Sequence, residues 1–150
     1  MLFRSRSIFP RLRKIDLVLT PAEESLSVRV QPRAMEQVLI NLILNALDAV
    51  AETPQPRLEV RTRREGERCV VDIIDNGHGI RPEHLGRLFE PFFTTKPVGK
   101  GTGLGLAISY SIIQSMRGTI SVESEPGKGT RFTVSLPAGQ DGPGPDHSQE

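Results

Sequence analysis

The stretch QVLINLILNALDAV, residues 37–50, constrains the fold more than any other part of the chain. It lies in a run over 33–52 that contains neither Gly nor Pro and opens behind Pro32, a residue suited to a first helical turn. Residues three and four apart share a helical face. Gln37, Asn41, Asn45, Asp48 and Glu52 therefore form one polar stripe, while Val38, Leu39, Ile40, Leu42, Ile43, Leu44, Leu47 and Val50 cover the rest. A helix this apolar is packed on most sides, and its stripe must face something polar. Leaving a buried amide unpaired costs about 1–3 kcal/mol. Two readings stay open: a stripe turned to solvent, or the floor of a ligand site. Asn suits the second, because its carbonyl oxygen can ligate a hard cation while its amide donates to a phosphate oxygen.

Around this helix the pattern is mostly of strands. Leu17 to Leu19 and Leu26 to Val30 read as two short strands separated by TPAEE. RLEVRTRR (57–64) and RCVVDIID (68–75) alternate on either side of a turn and predict a hairpin with one buried face. Residues 81–88 predict a short helical piece behind Pro82, and 104–116 a second long helix with a small, apolar face that ends at Gly118. TISVES and TRFTVSLP then predict a closing pair of strands. Two long helices among runs of strands do not fit a regular βαβ alternation; they predict an α+β fold, a two-layer sandwich with helices on one face of a mixed sheet.

Two glycine-rich segments could carry chemistry. DNGHGI (75–80) follows a strand, so Asp75 emerges at a sheet edge while Gly77 and Gly79 permit a tight backbone or close ligand approach. An ordinary turn would look the same, although a carboxylate placed there could accept a hydrogen bond from the exocyclic amine of adenine. GKGTGLGL (99–106) runs into the second helix, whose exposed N–H groups suit a phosphate. It is neither a Walker A loop nor a dinucleotide fingerprint.

Composition narrows the alternatives. The chain has 150 residues, room for one domain, and a net charge of +1 from 19 basic and 18 acidic side chains; with 5% aromatic residues it predicts no nucleic-acid partner. The single cysteine, Cys69, permits no internal disulfide and fits a reducing compartment. No apolar run approaches the roughly 18 residues that span a bilayer, so the expectation is a cytoplasmic domain without membrane contact. Residues 1–14 read as a basic leader or linker, 15–137 as the domain, and 138–150 as a disordered tail.

In order along the chain, NLILNALDA, DNGHGI, FEPFFTTK, GKGTGLGL and GKGTRFTVSLP resemble the N, G1, F and G2 boxes and closing strand of the catalytic ATP-binding domain of sensor histidine kinases. NALDA and FEPFFTTKPVGKGTGLGLAISYSII resemble most the nitrogen-regulatory and dicarboxylate-sensor type. The resemblance implies the Bergerat fold shared with DNA gyrase, and ATP and Mg²⁺ as cofactors. It implies Asn45 as the metal ligand, with Asn41 near the phosphates and Asp48 on the same face. Asp75, with Gly77, Gly79 and Thr130, would hold adenine. Phe89, Thr94, Thr95 and Lys96 would start a mobile lid that Lys100, Gly101, Thr102, Gly103, Leu104 and Gly105 close onto the second helix. Its partners would be a histidine phosphoacceptor and dimerisation domain and, indirectly, a response regulator.

The same resemblance implies no catalytic nucleophile within this chain, because His78, His84 and His147 match no phosphoacceptor position. The position of Arg117 commonly holds a glycine in that family, so the turn there should differ. Hydrolytic members carry a glutamate where this chain has Asn41, and an amide cannot serve as a general base. A serine kinase of the anti-sigma type and a nucleotide-binding module without phosphotransfer are the alternatives.

Overall fold

The computed structural model describes the backbone of residues 3–5 and residues 15–96 and 103–139 in full. Among the described residues six strands form one mixed sheet: β1 (Phe3–Ser5), β2 (Asp16–Thr20), β3 (Arg57–Glu65), β4 (Arg68–Asp75), β5 (Thr119–Glu125) and β6 (Gly129–Pro137). Their order is β1-β2-β3-β4-β6-β5, with only β2 and β3 parallel. The crossover between those two carries α1 (Pro32–Ala49), while α2 (Pro82–Leu85) and α3 (Gly105–Ser115) lie between β4 and β5. The result is an α+β two-layer sandwich with the helices on one face. Phe3–Ser5, expected within a leader, instead pair antiparallel with β2.

Alternation along the strands builds the core. β6 sends Thr130, Phe132, Val134 and Leu136 inward, and the register Ile73↔Phe132 and Val71↔Val134 continues that face into β4. Val38, Leu42 and Ala46 of α1 and Ile113 of α3 press onto it, each at most 2% exposed. Burying a leucine such as Leu42 contributes about 2–3 kcal/mol.

Three expected elements differ. The long helix ends at Ala49 rather than near 52, because the chain tightens into successive turns, Ala51 N–H to Asp48 O at 3.3 Å and Thr53 N–H to Val50 O at 2.9 Å. Glu52 therefore drops out of the polar stripe. No strand forms over 26–30; Val28 makes one isolated bridge to Ala138, while Val28 and Val30 pack against the core. Their alternation seals an edge instead of pairing along it, and Gly139 N–H to Ser27 O (2.5 Å) closes that edge beyond Pro137. The short helical piece expected over 81–88 is helical only over Pro82–Leu85.

On the sheet face away from the helices, Asp72 is fully buried and accepts four hydrogen bonds: from Arg131 Nε (3.2 Å) and Nη2 (2.9 Å), Arg63 Nε (3.2 Å) and Thr133 Oγ1 (2.8 Å). Burial pushes its carboxyl up, but the bonds from Arg131, Thr133 and Arg63 outweigh that and hold it below the usual aspartate range. A lowered folded value makes the carboxylate stabilising above the unfolded value of about 3.9, and that contribution disappears as pH falls through the folded value. Asp72→Asn should lose about 2 kcal/mol in urea melts at pH 7 and show a smaller deficit at pH 3.

Helix α3 closes with a Schellman motif. Gly118 N–H reaches Ile113 O at 2.9 Å and Arg117 N–H reaches Gln114 O at 3.0 Å, with Arg117 itself at φ 59°. The glycine missing from this position therefore leaves the turn intact and places an arginine in the left-handed region. Gly118 next to it has no latitude, since a Cβ would lie 2.6 Å from Leu136 Cδ2 and 2.7 Å from Ser135 O. Arg117→Gly should stabilise the domain by roughly 1 kcal/mol in chemical denaturation, the cost of the left-handed arginine less the extra freedom of glycine in the unfolded chain.

Candidate functional site

The polar stripe of α1 faces α3 and the segment before it. Asn41 Nδ2 donates to Gly105 O and to Ser109 Oγ, both at 3.3 Å, and Ser109 is fully buried. The amide is needed as a donor, because its two partners are a carbonyl and a hydroxyl; a carboxylate could not make the first bond. One turn further on, Lys96 Nζ lies 3.5 Å from Asn45 Oδ1 and 2.5 Å from Asp48 Oδ2. Asn41, Asn45, Asp48, Lys96 and Gly105 are thus brought together along one side of α1.

The second part of the site hangs from the end of β4. Asp75 is 5% exposed and accepts the Gly77 N–H at 2.8 Å, and Thr130, its register partner on β6, is equally buried. Burial pushes the Asp75 carboxyl above its usual range, opposed by the Gly77 N–H, the nearby His78 ring and the Thr130 N–H. Thr130 Oγ1 is 2.8 Å from Ser124 Oγ, which also accepts the Ile80 N–H at 2.8 Å.

Two bonds carry this loop between the layers: His78 N–H to Ala49 O (3.1 Å) at the end of α1, and Gly127 N–H to His78 O (2.8 Å) in the β5–β6 turn. Gly77 fits because its backbone touches the helix end, where a Cβ would lie 2.3 Å from Ala49 O; Gly79, at φ 75°, is as tight against Glu125 O at 2.2 Å.

The remaining predicted site residues are dispersed. Phe89 packs into the core edge with its ring 5.3 Å from Tyr110. Phe93 stacks with His84 at 5.6 Å and lies under the Arg87 guanidinium at 4.6 Å. Thr94 Oγ1 accepts the Lys96 N–H at 3.1 Å, and Thr95 is exposed beside it. Gly103 abuts Phe92, and Leu104 caps α3. Lys100, Gly101 and Thr102 fall outside the described residues, as does His147. His78 is held by Gly79 O at 2.6 Å from its Nδ1. Sequence reasoning did not single out Ser109 or Ser124; both are small polar residues one bond from a named site residue, and only the three-dimensional contact distinguishes them from surface serines.

Among the described residues no group of three His, Cys, Asp or Glu side chains could hold a metal. Asn45 and Asp48 do offer one amide and one carboxylate oxygen a single turn apart, and both already attract an ammonium group. That donor set fits a hard cation such as Mg²⁺, which characteristically takes few protein ligands and completes its shell with phosphate oxygens and water. One concavity, about 470 Å³ and lined by Arg29, Met116, Arg117 and Gly139, touches none of the predicted site residues.

Replacing Gly77 by Ala should destabilise the domain by about 1–3 kcal/mol, since backbone rather than a flexible side chain must move, whereas Gly86→Ala, with open space around it, should be near neutral; paired urea titrations compare the two.

Residues 30–140 match the model of the family described as histidine kinase-, DNA gyrase B-, and HSP90-like ATPase. The two-component sensor PprA of Pseudomonas aeruginosa is 41% identical over 132 residues, covering 85% of this chain and 14% of that protein. Sensor histidine kinase ZraS of Salmonella typhimurium is 40% identical over 126 residues, covering 83% and 26% respectively. The chain therefore spans about a quarter or less of these curated relatives. Among solved structures, the catalytic domain of histidine kinase ThkA superposes with a TM-score of 0.71 at 32% identity, over 83% of this chain and 79% of that one. In sequence and in backbone alike, the chain belongs to the histidine kinase-, DNA gyrase B- and HSP90-like ATPase family.

Proposed function

We propose that residues 15–137 bind ATP with Mg²⁺ and present the γ-phosphoryl group to a histidine on a separate phosphoacceptor and dimerisation domain, within a two-component pathway that ends at a response regulator. The observation that carries this reading is Asn41. Hydrolytic relatives place a glutamate there to activate water, while here an amide spends its donors on Gly105 O and Ser109 Oγ. Such a group holds α3 beside the phosphates but takes no proton from water. Similarity to PprA and ZraS, which are named as a two-component sensor and a sensor histidine kinase, supports the same direction.

In this reading Asp75 accepts from the adenine amine, with Gly77, Gly79 and Thr130 shaping the pocket around it. Bound Mg²⁺ would neutralise charge on the β- and γ-phosphates, and Asn45 would hold it. Asn41 and the N-terminus of α3 would line the phosphate path, with Lys96 reaching the same oxygens from the opposite side. The nitrogen-regulatory and dicarboxylate-sensor subtype rests on the NALDA and FEPFFTTK motifs. Because the domain consumes ATP, we place it on the cytoplasmic side; among the described residues no helix is long and apolar enough to cross a membrane.

Calorimetry with Mg²⁺ and a non-hydrolysable ATP analogue should show binding, weakened roughly ten- to a hundredfold in Asp75→Asn, the range expected for a hydrogen bond to a charged group. Affinity should also fall as pH is lowered through the raised Asp75 value, beginning above the roughly 3.9 of a free aspartate, because protonation removes the acceptor charge. Mixed with ATP and a histidine-bearing hairpin from a sensor of its own genome, the chain should yield acid-labile phosphohistidine. Absence of nucleotide binding at millimolar ligand, or turnover of many ATP per minute without the hairpin, would contradict the proposal.

A further inference from the structure

Lys96 is the one lysine among the described residues whose ammonium group reaches the polar stripe of α1, and it does so from a segment 48 positions away from its acidic partner. Its Nζ sits between Asp48 Oδ2 at 2.5 Å and Asn45 Oδ1 at 3.5 Å, bridging two side chains that one helical turn places side by side. The segment that delivers it is fastened at its base. Phe92 N–H bonds to Gly103 O at 2.8 Å, and the two backbones are so close that a Cβ on Gly103 would lie 2.4 Å from the Phe92 carbonyl carbon. Both residues adopt left-handed conformations to make that contact, Phe92 at φ 68° and Gly103 at φ 69°. From this anchor Lys96 is four residues along, with its own N–H turned back onto Thr94 Oγ1. A tether this short keeps the ammonium near the stripe.

An ammonium ion and a hard divalent cation seek the same ligands, an amide carbonyl and a carboxylate oxygen. They cannot share these two, since a second cation on the same oxygens would sit within a few ångströms of the first. We propose that Lys96 and the divalent cation exchange at Asn45 and Asp48: the lysine occupies the metal's oxygens, a bare cation must compete with it, and the metal–nucleotide complex displaces it by offering its ammonium a phosphate instead. The inference rests on the reading of Asn45 as the metal ligand and adds how that ligand is kept selective for metal arriving with nucleotide. The ion pair is suited to exchange. Lys96 and Asp48 side chains are 35% and 60% exposed, so solvent weakens their attraction and little holds the lysine once a phosphate competes for it.

The test measures free Mn²⁺ by electron paramagnetic resonance over the full chain without nucleotide, in the wild type, Lys96→Met, Asp48→Asn and the double variant. Exchange predicts that Lys96→Met binds Mn²⁺ roughly two- to fivefold more tightly than the wild type, and that most of this gain vanishes in the Asp48→Asn background, where the lysine has lost its seat. Affinity for the Mg²⁺ complex of the ATP analogue should move the other way, falling in Lys96→Met. No gain in Mn²⁺ affinity, or a gain of equal size with and without Asp48, would overturn the exchange. Failure of the wild type to bind the nucleotide complex at all would instead overturn the underlying site reading, which keeps the two failures apart.

Discussion

Two hydrogen bonds from the Asn41 amide, to Gly105 O and Ser109 Oγ, join the helix that forms the core to the helix that would face the phosphates. Everything else in the site depends on that junction. Val38, Leu42 and Ala46 lock α1 onto the sheet, so the groups on the adjoining face, Asn41, Asn45 and Asp48, are positioned by core packing rather than by a flexible loop. Ser109 is buried beneath the junction and admits no larger side chain without separating the helices. Fold stability and site geometry are consequently one problem here: a change that loosens the α1 packing also moves the proposed metal oxygens.

The proposed base-binding end is organised differently. Asp75 is buried at the end of a strand with no arginine or lysine bonded to it among the described residues, and desolvation drives its carboxyl upward against the Gly77 N–H, the His78 ring and the Thr130 N–H. That arrangement costs stability at neutral pH, since a raised carboxyl favours the folded state only while it is protonated. Asp72, three residues earlier on the opposite face, has the reverse electrostatics, with two arginines and a threonine satisfying its oxygens. One strand thus holds an aspartate that strengthens the sheet and another that, in the proposed function, would accept a donor from outside the protein. The contrast between them is a stronger pointer to a ligand than burial alone, because structural carboxylates are normally paired.

Much of this was legible in the residues. The helix over Pro32–Ala49, the β3–β4 hairpin and the β5–β6 pair all form where the apolar pattern places them, but α1 is not packed on most sides as expected: Val38, Leu42 and Ala46 are buried while Ile40 and Leu44 are about half exposed. The strand expected over 26–30 did not form, because alternation records which side chains turn inward and not whether the backbone finds a partner; Val28 and Val30 are half-buried at a sheet margin. The burial of Asp72 was not legible in RCVVDIID, since it comes with arginines on two neighbouring strands. The seat of Lys96 on Asp48 was equally hidden, being a contact between segments far apart in sequence. The pattern of the polar stripe was visible, but that it faces α3 and Lys96 needed the three-dimensional contacts.

The central claim is that one helix face and one strand end, brought together by the α1 core, bind the two ends of a single nucleotide. A crystal structure of the chain with Mg²⁺ and a non-hydrolysable ATP analogue measures this directly. The account predicts the adenine amine within hydrogen-bonding distance of Asp75 and the metal on Asn45. A nucleotide bound away from Asp75, or a metal held without Asn45, would contradict it.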